Sequence, residues 1–348
     1  MPVAEALRQR LLACGATLSA AAKDLRKEKA ERPPLEVSEL SGGVLNSSKG
    51  VAQAARALHF LLQGAPSAAT AVPCVVDFEK AALAYHSWAR GLLAAVGPAA
   101  RKLSTRPCAE VLQVAAQLAV KAAAAELAPP DVGQLERSVA ALDSLPLSSH
   151  AAAAVLLPQC SLLVADAATE LARAVDEAAE GGGDFGEDDG DDDDDDDDDD
   201  DEPELVAQPA LTAPLLALIR GAAAVLRCAE RGLQAVAARD GSGGDDSKVA
   251  AALAAAADAS SAQVDSLVCA VYEEARPAVG SYAASLGKLL AKVHQLLADK
   301  CGLADDAERA AAHAELEASL AGVAAWATAA PPGTAAAAAE GVASLSIG

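Results

Sequence analysis

Five histidines, seven cysteines and a run of aspartates are the residues in this 348-residue chain whose types could do chemistry. The histidines are His59, His86, His150, His294 and His313. None forms an H-E-x-x-H or H-x-x-x-H pair, and none neighbours a cysteine at ligand spacing, so no metal site and no cofactor is expected. The cysteines are Cys14, Cys74, Cys108, Cys160, Cys228, Cys269 and Cys301. An odd number without a C-x-x-C argues against a disulfide framework or a structural zinc. Most of them are expected to be small buried apolar residues in a reducing compartment. The glycine-rich stretches at 181–183 and 241–244 neither follow a strand nor end in Gly-Lys-Ser/Thr, so they are no phosphate cradle. No G-x-S-x-G occurs, and nothing places a base beside a serine or cysteine nucleophile. The expectation is a protein that is not an enzyme.

The aspartates lie in one block. Asp184 to Glu204 holds 17 acidic residues in 21 and no basic one, which accounts for all but six of the -23 formal charge. Like charges at this density repel each other and leave a chain unfolded. The plain reading is a solvated interdomain linker. The functional readings are loose divalent-cation binding, aid to solubility, and capture of a basic partner such as a histone tail or a DNA-binding basic region. In the last case Asp188, Asp189, Asp191, Asp196, Asp201, Glu202 and Glu204 are the candidate partner-binding residues. Such binding would weaken steeply with salt. The run lacks the fixed geometry and bidentate Glu of an EF-hand loop. With no basic patch elsewhere, direct nucleic-acid binding is not expected.

The elements that must position any site are helices. Alanine, the strongest helix former, supplies 92 residues, while aromatics make up 2%. Apolar residues recur at spacings of three and four, and Pro and Gly punctuate the segments. Leu7, Leu11, Cys14, Leu18 and Leu25 form a short heptad pattern, read as the first helix of an intramolecular bundle rather than a zipper. Gly42-Gly43 is expected to precede a helix over 44–62, and Pro66 and Pro73 to mark a turn before a helix over 75–96. Ser104 or Thr105 is expected to cap the next helix, with Pro107 in its first turn. Asp131 and Gln134 form a capping-box arrangement. A long helix is expected from Ser149 to Glu180, with Leu156, Cys160, Leu163, Ala167, Leu171 and Val175 on one face. Further helices run from Leu205 to about Ala329, and Pro331-Pro332-Gly333 ends the last one.

These assignments give an all-α protein of two antiparallel helical bundles joined by an acidic linker. The expected divisions are an N-terminal bundle over 1–180, a linker over 181–204, a C-terminal bundle over 205–330 and a low-complexity tail over 331–348. The charge-free window 144–165 is read as a loop and a buried helix, not a membrane span. Glu5, Arg8 and Arg10 interrupt the N-terminus, so no secretory signal is expected.

The order of these features resembles the cyclin-D-binding protein family. The most specific stretch is Leu145-Pro146 through Leu171, with Asp166-Ala167 followed by Glu170-Leu171. Leu215-Leu216-Ala217-Leu218-Ile219-Arg220 resembles the family's element after the acidic linker. Val264-Asp265-Ser266-Leu267 with Tyr272 resembles another. The likeness spans roughly Val44 to Trp326. It departs at Ser149-His150, where the family tends to have Asn-Lys, and at Ala165, which stands in place of a basic residue. The resemblance implies two bundles similar to those of talin and vinculin. It also implies a non-enzymatic regulator that binds cyclin D and helix-loop-helix transcription factors, restrains cell-cycle progression, and resides in nucleus and cytoplasm. No nuclear-localisation cluster stands out, since Arg26-Lys27-Glu28-Lys29 is short and mixed. The rival reading is an actin-binding cytoskeletal adaptor, for which Arg220, Arg227, Arg231 and Arg239 would have to form an exposed basic stripe.

Overall fold

The computed structural model describes residues 5–27, 35–64, 66–181, 208–238, 244–273 and 275–329. Among these residues there are ten α-helices and no strand, so the protein is all-α. The acidic stretch and the tail over 331–348 lie outside the described residues. Chain contacts divide the protein into two compact units, Met1–Ala152 and Ala153–Gly348. The division falls in the first turn of the sixth helix, whereas the sequence placed the end of the first bundle at residue 180.

The first unit holds α1 (Glu5–Leu25), α2 (Val37–Gln63), α3 (Ala68–Ala95), α4 (Pro98–Ala123) and α5 (Pro129–Ala140), the last followed by a 3-10 turn over Ala141–Ser144. The helices form a closed ring: α1 lies between α3 and α4, α2 between α3 and α5, and α5 meets α4. The heptad residues Leu7, Leu11, Cys14, Leu18 and Leu25 are all buried in this unit, so α1 is a bundle helix. Arg10 pairs with Glu79, and Arg90 Nη1 lies 3.8 Å from Asp24 Oδ2, fixing the register of α1 on α3. At the centre, the buried Tyr85 hydroxyl donates to the Cys108 carbonyl at 2.9 Å, and burial pushes its pKa well up. Burial likewise pushes the Cys14 thiol up to about 12, which keeps it an inert filler.

Several helix starts differ from the sequence reading. Gly42 and Gly43 lie inside α2, which begins at Val37. Gly43 is needed there because the Trp88 ring of α3 lies against it; a Cβ at this position would sit 2.2 Å from Trp88 Cε3. Pro73 lies inside α3, whose start is capped by Ser67 Oγ accepting from the Thr70 N–H at 3.3 Å. Pro98 opens α4, so Ser104 and Pro107 are interior to it. Proline is tolerated at a first helical position, where its missing N–H would be unpaired anyway. Asp131 is not the cap of α5 but its third residue, accepting from the Ala128 N–H at 2.9 Å.

The second unit holds α6 (Ser149–Gly181), α7 (Pro209–Ala237), α8 (Gly244–Tyr272), α9 (Arg276–Lys300) and α10 (Ala307–Thr328). In it α10 lies between α7 and α9, and α8 lies against α9 and α7. Gly287 of α9 admits Leu320 of α10, whose Cδ1 would lie 2.4 Å from a Cβ there. Trp326 is 6% exposed. Its indole N–H donates to Gln208 Oε1 at 3.3 Å, and the Arg276 guanidinium stacks 4.3 Å from its ring centroid. One tryptophan thus reports on each unit.

Replacing Gly43 by Ala must displace the Trp88 ring. The expected outcome is a destabilisation of the first unit by about 1–3 kcal/mol, read as a lower urea midpoint in tryptophan emission. An unchanged midpoint would contradict the close approach of α2 and α3.

Candidate functional site

Helix α6 carries three of the exposed large apolar side chains of the described surface, which also include Phe60 of α2 at 75%. Its buried side is continuous: Ala152, Ala153, Leu156, Leu157, Cys160, Val164, Ala168 and Leu171 recur at helical spacing. Ala152 belongs to the core of the first unit, and from Ala153 onward this side belongs to the second unit. Ala165, Ala168, Thr169 and Ala172 line a groove of about 280 Å3 with Arg220, Ala223 and Arg227 of α7. Farther along, Glu170 and Arg173 act electrostatically on Tyr272 at the end of α8. Burial is the largest influence on Tyr272 and, with Glu170, pushes its pKa up.

The opposite side is apolar too, which a soluble bundle does not require. Leu162 is 71% exposed and Leu163 60%, with Val155 at 39% two turns earlier. Val155 and Leu162 are seven residues apart, two helical turns, and so share one face. The sequence reading placed Leu163 and Ala167 on the buried side; Val164 and Ala168 occupy it instead. One position is about 100° of helix rotation, enough to carry Leu163 to the outside. Asp166 and Glu170, also exposed, give the ridge an acidic border at its C-terminal end. The signal was legible: once 156, 160, 164, 168 and 171 are assigned inward, Leu162-Leu163 has no core position left.

Two stretches that carry the family resemblance meet here. Leu145 to Leu171 contains the ridge, and Tyr272 of the Val264–Tyr272 stretch stands within electrostatic reach of Glu170. The candidate residues Asp188, Asp189, Asp191, Asp196, Asp201, Glu202 and Glu204 lie outside the described residues. Helices α6 and α7 are both long and apolar enough to cross a membrane by length and composition, with 44% and 61% of the apolar window buried in the protein.

The other candidates are structural. Among the described residues no group of three or more His, Cys, Asp or Glu side chains could hold a metal ion. Cys14, Cys108, Cys160, Cys228 and Cys301 are buried, whereas Cys74 is half-buried and Cys269 exposed. Arg231 is engaged by Asp306 and Glu308 of the α9–α10 side, at 3.2 and 2.9 Å. Arg239 lies outside the described residues, which leaves Arg220 and Arg227 as the exposed members of the supposed basic stripe.

One titratable cluster binds α9 to α10. Arg309 is 7% exposed and donates to the Leu303 and Ala304 carbonyls, both at 2.7 Å, and to the His294 ring. The His294 and His313 rings stack with centroids 3.8 Å apart. Burial, then His313 and Arg309, push the His294 pKa down from 6.5 to about 4, against the opposing pull of Glu317. The unfolded chain therefore binds the proton first as pH falls. The cluster's contribution is complete above pH 6.5 and is lost as pH falls through about 4. The thermal midpoint should drop between pH 7 and 4.5, and less so in His294→Gln. Superimposable profiles would contradict this account. In comparisons with known proteins, no family model and no curated protein matches this chain.

Proposed function

We propose that the protein is a non-enzymatic interaction protein that binds cyclin D and helix-loop-helix transcription factors, as its resemblance to cyclin-D-binding proteins implies, and so restrains cell-cycle progression in nucleus and cytoplasm. The observation that carries this reading is the exposed apolar ridge of Val155, Leu162 and Leu163 on α6. Apolar surface rimmed by polar groups commonly marks a place where another protein sits. Here the ridge falls inside Leu145 to Leu171, the stretch on which the resemblance is most specific.

Chemistry and shape suggest the mode of binding. The partner lays the apolar face of an amphipathic helix along α6, with anchors at three- and four-residue spacing meeting Leu162 and Leu163. Basic residues on the partner helix meet Asp166 and Glu170, which sets its direction. The acidic stretch 184–204 adds a salt-sensitive attraction for a basic region, competing with DNA for it. The regulation is then one of occupancy: a partner held here is withheld from its other complexes.

The test is capture of cyclin D and helix-loop-helix proteins by the full chain and by the Leu162→Asp/Leu163→Asp variant. Because both side chains face solvent, the variant should keep its stability to within about 0.5 kcal/mol. Capture should be lost. Retained capture by a folded variant would remove the ridge from the mechanism, and no capture by the wild-type chain would remove the partners.

A further inference from the structure

A cleft on the first unit carries the opposite charge to the chain as a whole. It has a volume of about 720 Å3, within the usual range of ligand sites. Its rim holds five cationic side chains: Arg26 and Lys27 from the end of α1, Arg90 from α3, and Arg101 and Lys102 from the start of α4. One carboxylate, Asp24, lies among them. Its apolar lining comes from the buried Leu25 and Leu93, the half-buried Ala94 and the exposed Pro98.

Part of this charge has work to do inside the bundle. Arg101 Nε donates to the Leu93 carbonyl at 2.6 Å and Nη2 to the Ala94 carbonyl at 3.4 Å, closing the end of α3. Arg26 donates to Gln113 Oε1 at 2.9 Å. Lys27 and Arg90 share a single carboxylate. Lys27, Arg90 and His86 all converge on Asp24, with distances of 3.3, 3.8 and 3.3 Å. Burial pushes the Asp24 carboxyl up, but Lys27, Arg90 and His86 together hold it below its ordinary value. Lys27 and Arg90 keep most of their side chains in solvent, at 72% and 53% exposed. One carboxylate therefore serves two exposed cations that could each take another anion.

From this arrangement we infer that the cleft is a docking site for an acidic peptide segment. Carboxylates of the segment pair with Lys27 and Arg90 at the rim, and one apolar side chain rests on Leu25, Leu93 and Pro98. Arginine suits this role because its planar fork takes a carboxylate with two parallel hydrogen bonds. A peptide fits better than a lone phosphate for two reasons. The cations come from three helices around the rim, and an apolar lining offers a bare inorganic anion nothing. The cleft belongs to the first unit and the α6 ridge to the second, so this site is separate from the one proposed for cyclin D and helix-loop-helix partners.

The test uses the full chain, and a second form with residues 184–204 deleted so that its own acidic stretch cannot compete. A fluorescein-labelled Glu-Asp-Leu-Asp-Glu peptide is titrated by anisotropy at low and at physiological salt, with inorganic phosphate and anionic phospholipid vesicles as separate arms. Saturable peptide binding is expected in at least the deleted form, weakening as salt rises. Lys27→Glu should weaken it by about tenfold or more, and Arg90→Gln, which keeps a polar side chain of similar length, should weaken it as well. Leu162→Asp/Leu163→Asp should leave it unchanged. Absence of peptide binding in both forms would overturn the inference. So would affinity indifferent to Lys27 and Arg90 in variants that keep the wild-type circular dichroism, or tight binding of phosphate or vesicles in place of the peptide.

Discussion

Helices built largely of alanine bury little surface unless their axes come close, and several packed pairs in this protein meet that constraint with a glycine. A buried Leu or Phe is worth roughly 1.5–3 kcal/mol against exposure, and alanine far less. The deficit is met by contact at short range. On α1, Gly15 lets Val120 and the Ala116 carbonyl of α4 approach to 3.0 and 3.2 Å of where a Cβ would be. Gly43 admits the face of Trp88, Gly287 admits Leu320, and Gly221 faces the backbone of Leu316. The few large side chains then act as wedges. Phe78 and Tyr85 are fully buried in the first unit, and Trp326 closes one end of the second.

A core that economical makes surplus hydrophobicity conspicuous. A chain whose aromatic side chains make up only 2% of its residues has little reason to place two adjacent leucines in water. Leu162 and Leu163 are there because the inward side of α6 is already filled by Leu156, Leu157, Cys160, Val164 and Leu171. The same economy bears on charge. Arg231 and Arg309 are spent holding helix ends and turns together, through Asp306, Glu308 and the Leu303 carbonyl. Lys27 and Arg90 are only partly spent, sharing Asp24. What the interior leaves over is what the surface has to work with.

The all-α class was legible from alanine content and from spacings of three and four, and so were the buried heptad residues of α1. Helix starts were less so. Gly42-Gly43 reads as a breaker until Trp88, 45 residues away, is seen to need the missing Cβ. Ser104 and Thr105 read as a cap, yet α4 begins at Pro98 and holds both in its interior. In the α6 stripe Leu156, Cys160 and Leu171 are buried as read, but 163 and 167 were taken in place of 164 and 168 because Leu163 is more hydrophobic than Val164, and local hydrophobicity outweighed strict period. The basic cleft was invisible, since its cations come from three separate stretches, 26–27, 90 and 101–102, and meet only when α1, α3 and α4 close their ring.

The account turns on α6 presenting an apolar face to another protein. Hydrogen–deuterium exchange of the full chain, alone and with a captured partner, tests that most directly. Slowed exchange on binding should concentrate in α6 between about Val155 and Glu170, with the end of α8 at Tyr272 following. Protection elsewhere, with α6 exchanging as in the free protein, would contradict it.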